Sequence, residues 1–129
     1  MLNPVTNIDD LAATFAEPWA PRIAARMNDW ALKVARFSGD YVWHAHADTD
    51  EVFLVVEGTI EIDLREGRDE RSVRLGPHDV VVVPRGIEHR PRSSSGAVVA
   101  MVEPADTLSV GDYAGDIPAA ITSTTGLAH

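Results

Sequence analysis

The residues of this sequence most suited to chemistry are two histidines separated by a single residue, His44 and His46. Residues two apart in an extended strand point to the same face, so both imidazoles would project together. Glu51 follows across a tight polar turn and can reach the same place from the next strand, while His89 comes much later in the chain. Three imidazoles and one carboxylate suit a divalent transition metal, and four ligands on an octahedral ion leave two positions open.

The other residue types narrow the chemistry further. The chain contains no cysteine, which excludes disulfides and thiolate zinc sites. A purely structural zinc site is disfavoured as well, because closed zinc sites usually contain cysteine. The spacing of His44 and His46 alone does not separate metal ligation from a chance pair of surface histidines. We expect His78, which lies in a Gly-Pro-His-Asp turn, to be a surface residue.

The elements that must position these residues are short and extended. Ile60, Ile62 and Leu64 alternate with charged residues, which is typical of a half-buried strand, and Trp30 to Val34 alternates similarly. Strand-like segments recur with turn signals every ~8–12 residues, a pattern that predicts an all-β sandwich or barrel. Two halves of similar strand content on either side of Gly67 favour a jelly roll. A short helix is expected near Asn7, before the prolines that follow.

The length and charge of the chain bound its organisation. We interpret its 129 residues as a single domain, with an N-terminal arm (1–29), a barrel (30–103) and a C-terminal tail (104–129) that is partly disordered from residue 123. The net charge of -9 disfavours nucleic acid and anionic membranes as partners. The first residues lack the basic and apolar segments of a signal peptide, so a cytoplasmic location is expected.

Two longer patterns surround the candidate ligands. The chain contains the motifs Gly39-x4-His44-x-His46-x4-Glu51-x6-Gly58 and Gly76-x7-Pro84-x-Gly86-x2-His89. They resemble the two signature motifs of the cupin superfamily, G-x5-H-x-H-x3,4-E-x6-G and G-x5-P-x-G-x2-H-x3-N. The chain departs from these motifs in the spacing of Gly39 and Gly76, and it has Ser93 where the second motif has asparagine. More narrowly, the first motif is similar to small bacterial cupins labelled mannose-6-phosphate isomerase-like.

The resemblance implies a double-stranded β-helix and one divalent ion, whether iron, manganese, nickel, cobalt or zinc. It also implies which residues hold that ion: His44, His46, Glu51 and His89. The expected function is an enzyme acting on a small organic acid, enol or diketone-like molecule by dioxygenase, isomerase or lyase chemistry, with Glu51 also a candidate catalytic residue. The alternative is a module that binds or senses a sugar or another small molecule without turnover.

Alternation along the strands predicts the walls of a substrate pocket. The residues expected there are Val42, Phe53, Val55, Arg85, Ile87 and Pro91. Arg85, Arg90 and Arg92 form a basic cluster in an acidic chain. This cluster is either an anion gate or part of an exposed strand edge, and alternation turns Arg90 and Arg92 away from His89.

The apolar segment from residue 52 to 56 predicts that the protein forms an oligomer. Its Val52-Leu54-Val56 face is as apolar as its opposite face, so both sides of the strand need cover. We expect a homodimer, in which a second subunit covers the part that the N-terminal arm leaves open. The alternative is a monomer covered by its own arm and tail.

Overall fold

The computed structural model describes Leu2 and residues 4–129. That part of the chain contains one short helix, α1 (Ile8–Ala12), and seven strands. The strands are β1 (Arg22–Met27), β2 (Trp30–Asp40), β3 (Glu51–Gly58), β4 (Ile60–Glu66), β5 (Asp69–Leu75), β6 (Val80–Val83) and β7 (Glu88–Pro104). Asn7 caps α1, as its side chain accepts a hydrogen bond from the backbone of Asp10. No helix within the described residues is long and apolar enough to cross a membrane.

All the strand pairs are antiparallel and they centre on β7. The sheet runs in the order β1-β2-β7-β3-β6, and β4 pairs with both β5 and β7. The first part of β7 pairs with β4, whereas its second part lies between β2 and β3. The all-β double-stranded β-helix with a short N-terminal helix is therefore confirmed.

Both faces of β2 are covered, because the strand lies between the barrel interior and the N-terminal arm. Phe37 points into the barrel and belongs to the main core, together with Phe53 of β3. Val34 points outward, is completely buried and packs in a second cluster with Leu11 of α1. Lys33 lies on the inward side and is also buried, which places a charged group inside the barrel.

The strands extend past several of the expected boundaries. The sheet begins at Arg22, within the segment predicted as an arm, because β1 pairs with β2. Strand β7 continues through residues 93–96, where the serines and glycine suggest a flexible loop. The reason is that Ser93 pairs with Gly39 and donates its hydroxyl to the Thr59 carbonyl at 2.7 Å.

The C-terminal segment packs on the barrel instead of being disordered. The Leu127 amide donates to the Pro21 carbonyl at 2.8 Å, and the Leu127 carbonyl accepts from the Ile23 amide at 2.9 Å. Ile121 of the same segment is buried in the main core. The arm and the tail thus hold each other over one end of the barrel.

We predict that Gly58→Ala destabilises the fold strongly. Gly58 has a φ of +82°, and a Cβ there would overlap the backbone of Gly96 and Ala97 in β7. The free energy of unfolding should fall by about 2–4 kcal/mol, since both steric overlap and backbone strain are added. Gly39→Ala is the matched control, because Gly39 has a φ of +75° with open space around its Cβ position. Equal losses for the two variants in urea unfolding would contradict this account.

Candidate metal centre

Four buried side chains converge at one end of the barrel interior. They are His44, His46, Glu51 and His89, and one ligating atom from each lies within 4.8 Å of all the others. Oε1 of Glu51 lies 3.5 Å from Nε2 of His46 and 3.5 Å from Nε2 of His89. This arrangement brings together the ligand set expected from the sequence.

Backbone hydrogen bonds bring these residues together from distant parts of the chain. The amide of His44 donates to the His89 carbonyl at 3.0 Å, and the amide of His89 donates to the His44 carbonyl at 2.8 Å. The carbonyl of His46 accepts from the Gly86 amide at 2.9 Å. Glu51 is the first residue of β3, whose pairing with β6 and β7 aims its carboxylate inward.

Two of the imidazoles are oriented by hydrogen bonds at Nδ1. Nδ1 of His44 lies 3.0 Å from the Val42 carbonyl, and Nδ1 of His89 lies 2.9 Å from the Ile87 carbonyl. A carbonyl only accepts, so both Nδ1 atoms donate these hydrogen bonds, and Nε2 is the nitrogen of each ring left for a metal. This is the outer support that metal-binding histidines commonly have.

The cluster fits a cation. Nε2 of His46, Oε1 of Glu51 and Nε2 of His89 are buried without a hydrogen-bond partner among the described residues. Buried polar atoms are nearly always paired, and here three of them face one point. A divalent transition ion would satisfy them together, and the mixture of imidazole and carboxylate suits several such metals.

The electrostatics of the cluster favour a neutral His44 and an ionised Glu51, as metal ligation requires. Burial, and then the neighbouring His89, lower the pKa of His44 to about 4. Burial opposes the ionisation of Glu51, but its contacts with His46 and His89 outweigh this and lower its pKa well below the usual range.

A small chamber inside the barrel adjoins the cluster. Its volume is about 30 Å³, which is room for on the order of two water molecules. Aromatic and apolar side chains form most of its wall, with His44 and Glu51 on one side. The lining residues are Trp19, Pro21, Ala35, Phe37, Tyr41, His44, Glu51, Phe53, Pro91, Met101, Glu103 and Ser109.

The expected pocket residues divide into two groups. Phe53 and Pro91 line the chamber, whereas Val42, Val55, Arg85 and Ile87 do not. The backbone carbonyls of Val42 and Ile87 instead orient the rings of His44 and His89. Val55 is buried in the main core. The side chain of Arg85 is 70% exposed and lies 4.0 Å from Asp50, outside the barrel.

Arg90 and Arg92 point away from the chamber, as alternation predicts. Both donate hydrogen bonds to Asp63 on the outer side of β4, Arg90 at 2.8 Å and Arg92 at 3.1 Å. Trp43 also faces outward, with the Arg65 guanidinium 3.9 Å from its ring centroid. The basic cluster is therefore paired on the outer surface and supplies no anion gate to the chamber.

A buried contact between Lys33 and Glu103 inside the barrel is a feature that the sequence pattern does not predict. Nζ of Lys33 lies 3.3 Å from Oε1 of Glu103 and donates to the Thr107 carbonyl at 3.2 Å. Burial and the nearby charge of Glu51 raise the pKa of Glu103 to about 9, although Lys33 opposes this. The available signal was the position of Lys33, which is two residues from Ala35 and therefore on the same face.

Tyr41 is a second chamber residue that the sequence analysis does not include. Its ring packs 4.6 Å from that of Trp19 and meets the His44 imidazole edge-on at 5.2 Å. Burial raises the pKa of Tyr41 to about 12, so its hydroxyl stays protonated at neutral pH. The aromatic side of the chamber thus contacts a candidate ligand directly.

Comparison with known proteins finds a matching family model and two similar proteins. A family model described as "Cupin domain" matches residues 34–104. The Bacillus subtilis (strain 168) protein YdbB is 33% identical over 102 residues, which cover 79% of this chain and 88% of YdbB. The crystal structure of a cupin-2 domain containing protein from Shewanella frigidimarina NCIMB 400 is similar with a TM-score of 0.73 and 39% identity, covering 78% of this chain and 94% of that one.

A solved structure with a similar fold but lower sequence identity is that of an enzyme. The crystal structure of hydroquinone 1,2-dioxygenase PnpCD in complex with Cd²⁺ and 4-hydroxybenzonitrile has a TM-score of 0.65. Its identity is 17%, and the match covers 77% of this chain and 71% of that one, so it shows the fold alone. The narrower resemblance to mannose-6-phosphate isomerase-like proteins gains no specific support from these relatives.

The metal-free protein should lose stability as the pH falls from about 6.5 to about 4. The pKa of His44 is lowered from 6.5 to about 4 in the fold, so the unfolded chain takes up this proton first. The stabilisation is complete above the unfolded pKa, and about 3 kcal/mol of it disappears across this range. Urea unfolding of His44→Gln should show a smaller pH dependence, while the exposed-site control His78→Gln should match wild type. Equal slopes for His44→Gln and wild type would refute the assignment.

Proposed function

The chain belongs to the cupin family, and on that premise we propose that it is a metal-dependent enzyme acting on a small molecule. One divalent ion would be held by His44, His46, Glu51 and His89. The observation that carries the proposal is the convergence of these four ligating atoms within 4.8 Å, three of them buried without a partner among the described residues. A bound transition metal supplies Lewis-acid or redox chemistry to a molecule beside it.

The chamber supports small-molecule chemistry shielded from water. Phe37, Phe53 and Met101 form apolar walls beside the ligands, and such walls strengthen polar interactions made inside them. With a volume of about 30 Å³, the chamber admits only a few atoms, such as the oxygen-bearing end of an enol or diketone-like molecule. Among oxygenase, isomerase and lyase chemistry we favour oxygenase chemistry for this chain; the fold neighbour solved with Cd²⁺ is named a dioxygenase.

Glu103 favours an enzyme over a binding module. General acid–base catalysis needs a titratable group beside the reacting molecule, and Glu103 is such a group in addition to the candidate metal ligands. Glu103 lines the chamber, and its Oε2 atom is buried without a hydrogen-bond partner among the described residues. Titratable groups with strongly shifted pKa values are concentrated at functional sites.

The proposal is tested with untagged protein. Elemental analysis should find up to one divalent transition ion per chain, and the iron-loaded protein should consume dioxygen with some member of a panel of 1,3-diketones, enediols and keto acids. Failure to bind iron, manganese, nickel, cobalt or zinc after reconstitution would overturn the proposal. Binding of panel compounds without turnover would favour the alternative, a small-molecule or sugar binding module.

Glu51→Gln should separate catalysis from metal retention. The amide keeps the shape and an oxygen donor but removes the anionic ligand, so some metal should remain. Turnover of the active panel compound should fall by ~100-fold or more if a carboxylate takes part in proton transfer. His44→Ala, His46→Ala and His89→Ala should each lose metal more severely.

The matched control for this variant is Glu57→Gln, an exposed residue of the same strand. Metal content, melting temperature and turnover are compared with wild type. Unchanged metal content and turnover in Glu51→Gln would remove Glu51 from the ligand set. Metal loss equal to that of the histidine variants would limit Glu51 to holding the ion.

A homodimer is part of the proposal. β6 is the last strand of the sheet path, and its Val80 and Val82 are 62% and 52% exposed. Val52 and Leu54 of β3 lie beside them and are half-buried, so the apolar face continues across both strands. An uncharged, exposed edge of this kind is normally covered, and a second copy related by a twofold axis can pair with it.

Light scattering at micromolar concentration should give twice the mass of the 14.0 kDa chain. Val82→Lys should yield a folded monomer, because the lysine places a charge in the centre of the contact. Ile117→Lys, at a residue that is 40% exposed in the C-terminal segment, is the control and should remain dimeric. A wild-type mass of one chain would contradict the dimer.

A further inference from the structure

The C-terminal strap, residues 105–129, returns from β7 across the histidine pair. Oδ1 of Asp112 accepts a hydrogen bond from the Ala45 amide at 2.7 Å. The amide of Asp112 donates to the Ala45 carbonyl at 3.1 Å. Ala45 separates His44 from His46, so one strap residue binds both backbone polar groups of the residue between two candidate ligands.

Gly111 brings the strap backbone against the site. Its φ is +53°, and a Cβ added there would lie 2.5 Å from the Ala45 carbonyl oxygen and 3.0 Å from Cδ2 of His44. Only a glycine leaves room for this approach. The strap therefore contacts the His44 ring as well as the backbone beside it.

The strap is itself anchored at several points away from the site. The Thr122 amide attaches the strap to the N-terminal arm by donating to the Trp19 carbonyl at 3.2 Å, and within the strap the Ser109 amide donates to the Thr124 carbonyl at 2.8 Å. Leu127 is bonded in turn to the segment that begins β1. These contacts let the strap act as a fixed support for Ala45.

The histidine segment needs such a support, because it lies outside the regular strands. Residues 41–50 separate β2 from β3, and within them only His44 forms a ladder-type bridge, to His89. The amide of Gly86, two residues before β7, donates to the carbonyl of His46. Asp112 supplies the attachment from the strap, so the segment is held between two elements.

We propose that Asp112 and Gly111 are positioning residues for the metal centre. Together they fix the backbone at Ala45, which keeps the imidazoles of His44 and His46 directed at one point. The inference rests on the metal-binding function proposed above. A site held in its binding geometry spends less free energy on ordering when the ion binds, so loosening Ala45 weakens metal affinity without removing a ligand.

The test measures zinc affinity of the full-length protein, freed of metal, in competition with a chromophoric chelator. Asp112→Ala should bind zinc about 10–100-fold more weakly than wild type. Asp112→Asn should stay near wild type, because its amide oxygen still accepts from Ala45. Asp116→Ala, an exposed position in the same strap with the same change of charge, is the matched control and should be unchanged.

A second readout separates positioning from a general loss of stability. The visible absorption of the cobalt-loaded protein reports coordination geometry, and Asp112→Ala should alter it while the metal-free protein still folds by circular dichroism. Gly111→Ala leaves the Asp112 side chain in place but pushes on His44, so it should also weaken zinc binding and alter the cobalt spectrum.

The outcomes are distinct. Failure of wild type to bind zinc would defeat the proposed function itself. Wild-type binding with unchanged affinity and spectrum in Asp112→Ala would overturn the positioning role alone. Equal losses in Asp112→Asn and Asp112→Ala would also overturn it, by assigning the effect to charge. If Asp112→Ala does not fold, Gly111→Ala decides, and failure of both to fold would overturn the positioning role by making these two residues requirements of the fold.

Discussion

The backbone bridge between His44 and His89 is the constraint on which the site depends. Each residue donates its amide to the carbonyl of the other, so two candidate ligands distant in sequence are fixed side by side. Their ring centroids lie 4.3 Å apart. With this pair fixed, the hydrogen bonds at Nδ1 leave Nε2 as the free nitrogen of each ring. The Glu51 carboxylate then joins the two imidazoles from β3. The long strand β7 makes this possible, since it carries His89 at one end and pairs with β2 and β3 at the other.

The interior of this barrel is more polar than stability alone would favour. Three histidines, Glu51 and the Lys33–Glu103 pair are buried among aromatic and aliphatic side chains. Burying polar and titratable groups costs desolvation energy that their contacts often fail to recover, and ligand atoms left without a partner add to that cost. A bound metal would offset part of this cost, because binding energy at a site formed only in the fold adds to folding stability. The polar interior is therefore best explained by a chemical function of the buried groups and not by a contribution to stability.

The ligand set could be predicted because its signal is a local sequence pattern: His44 and His46 are two residues apart, and the glycines and prolines around the ligands follow a recognisable spacing. The inward side of β4 could be predicted in the same way from alternation. Alternation predicts Val42 and Ile87 on the chamber wall because it assumes a regular strand, whereas both residues lie just outside one. Glu103 and Asp112 reach the site through pairing of β7 and the path of the strap. Such long-range contacts leave no local pattern in the sequence.

The most direct test of the account is an anomalous difference map from crystals of this protein soaked in zinc. The account predicts one dominant peak inside the barrel, about 2.0–2.2 Å from Nε2 of each of His44, His46 and His89 and from a carboxylate oxygen of Glu51. A map with no peak there, or with zinc bound only at surface groups such as His78, would contradict the claim that these four residues form a metal centre.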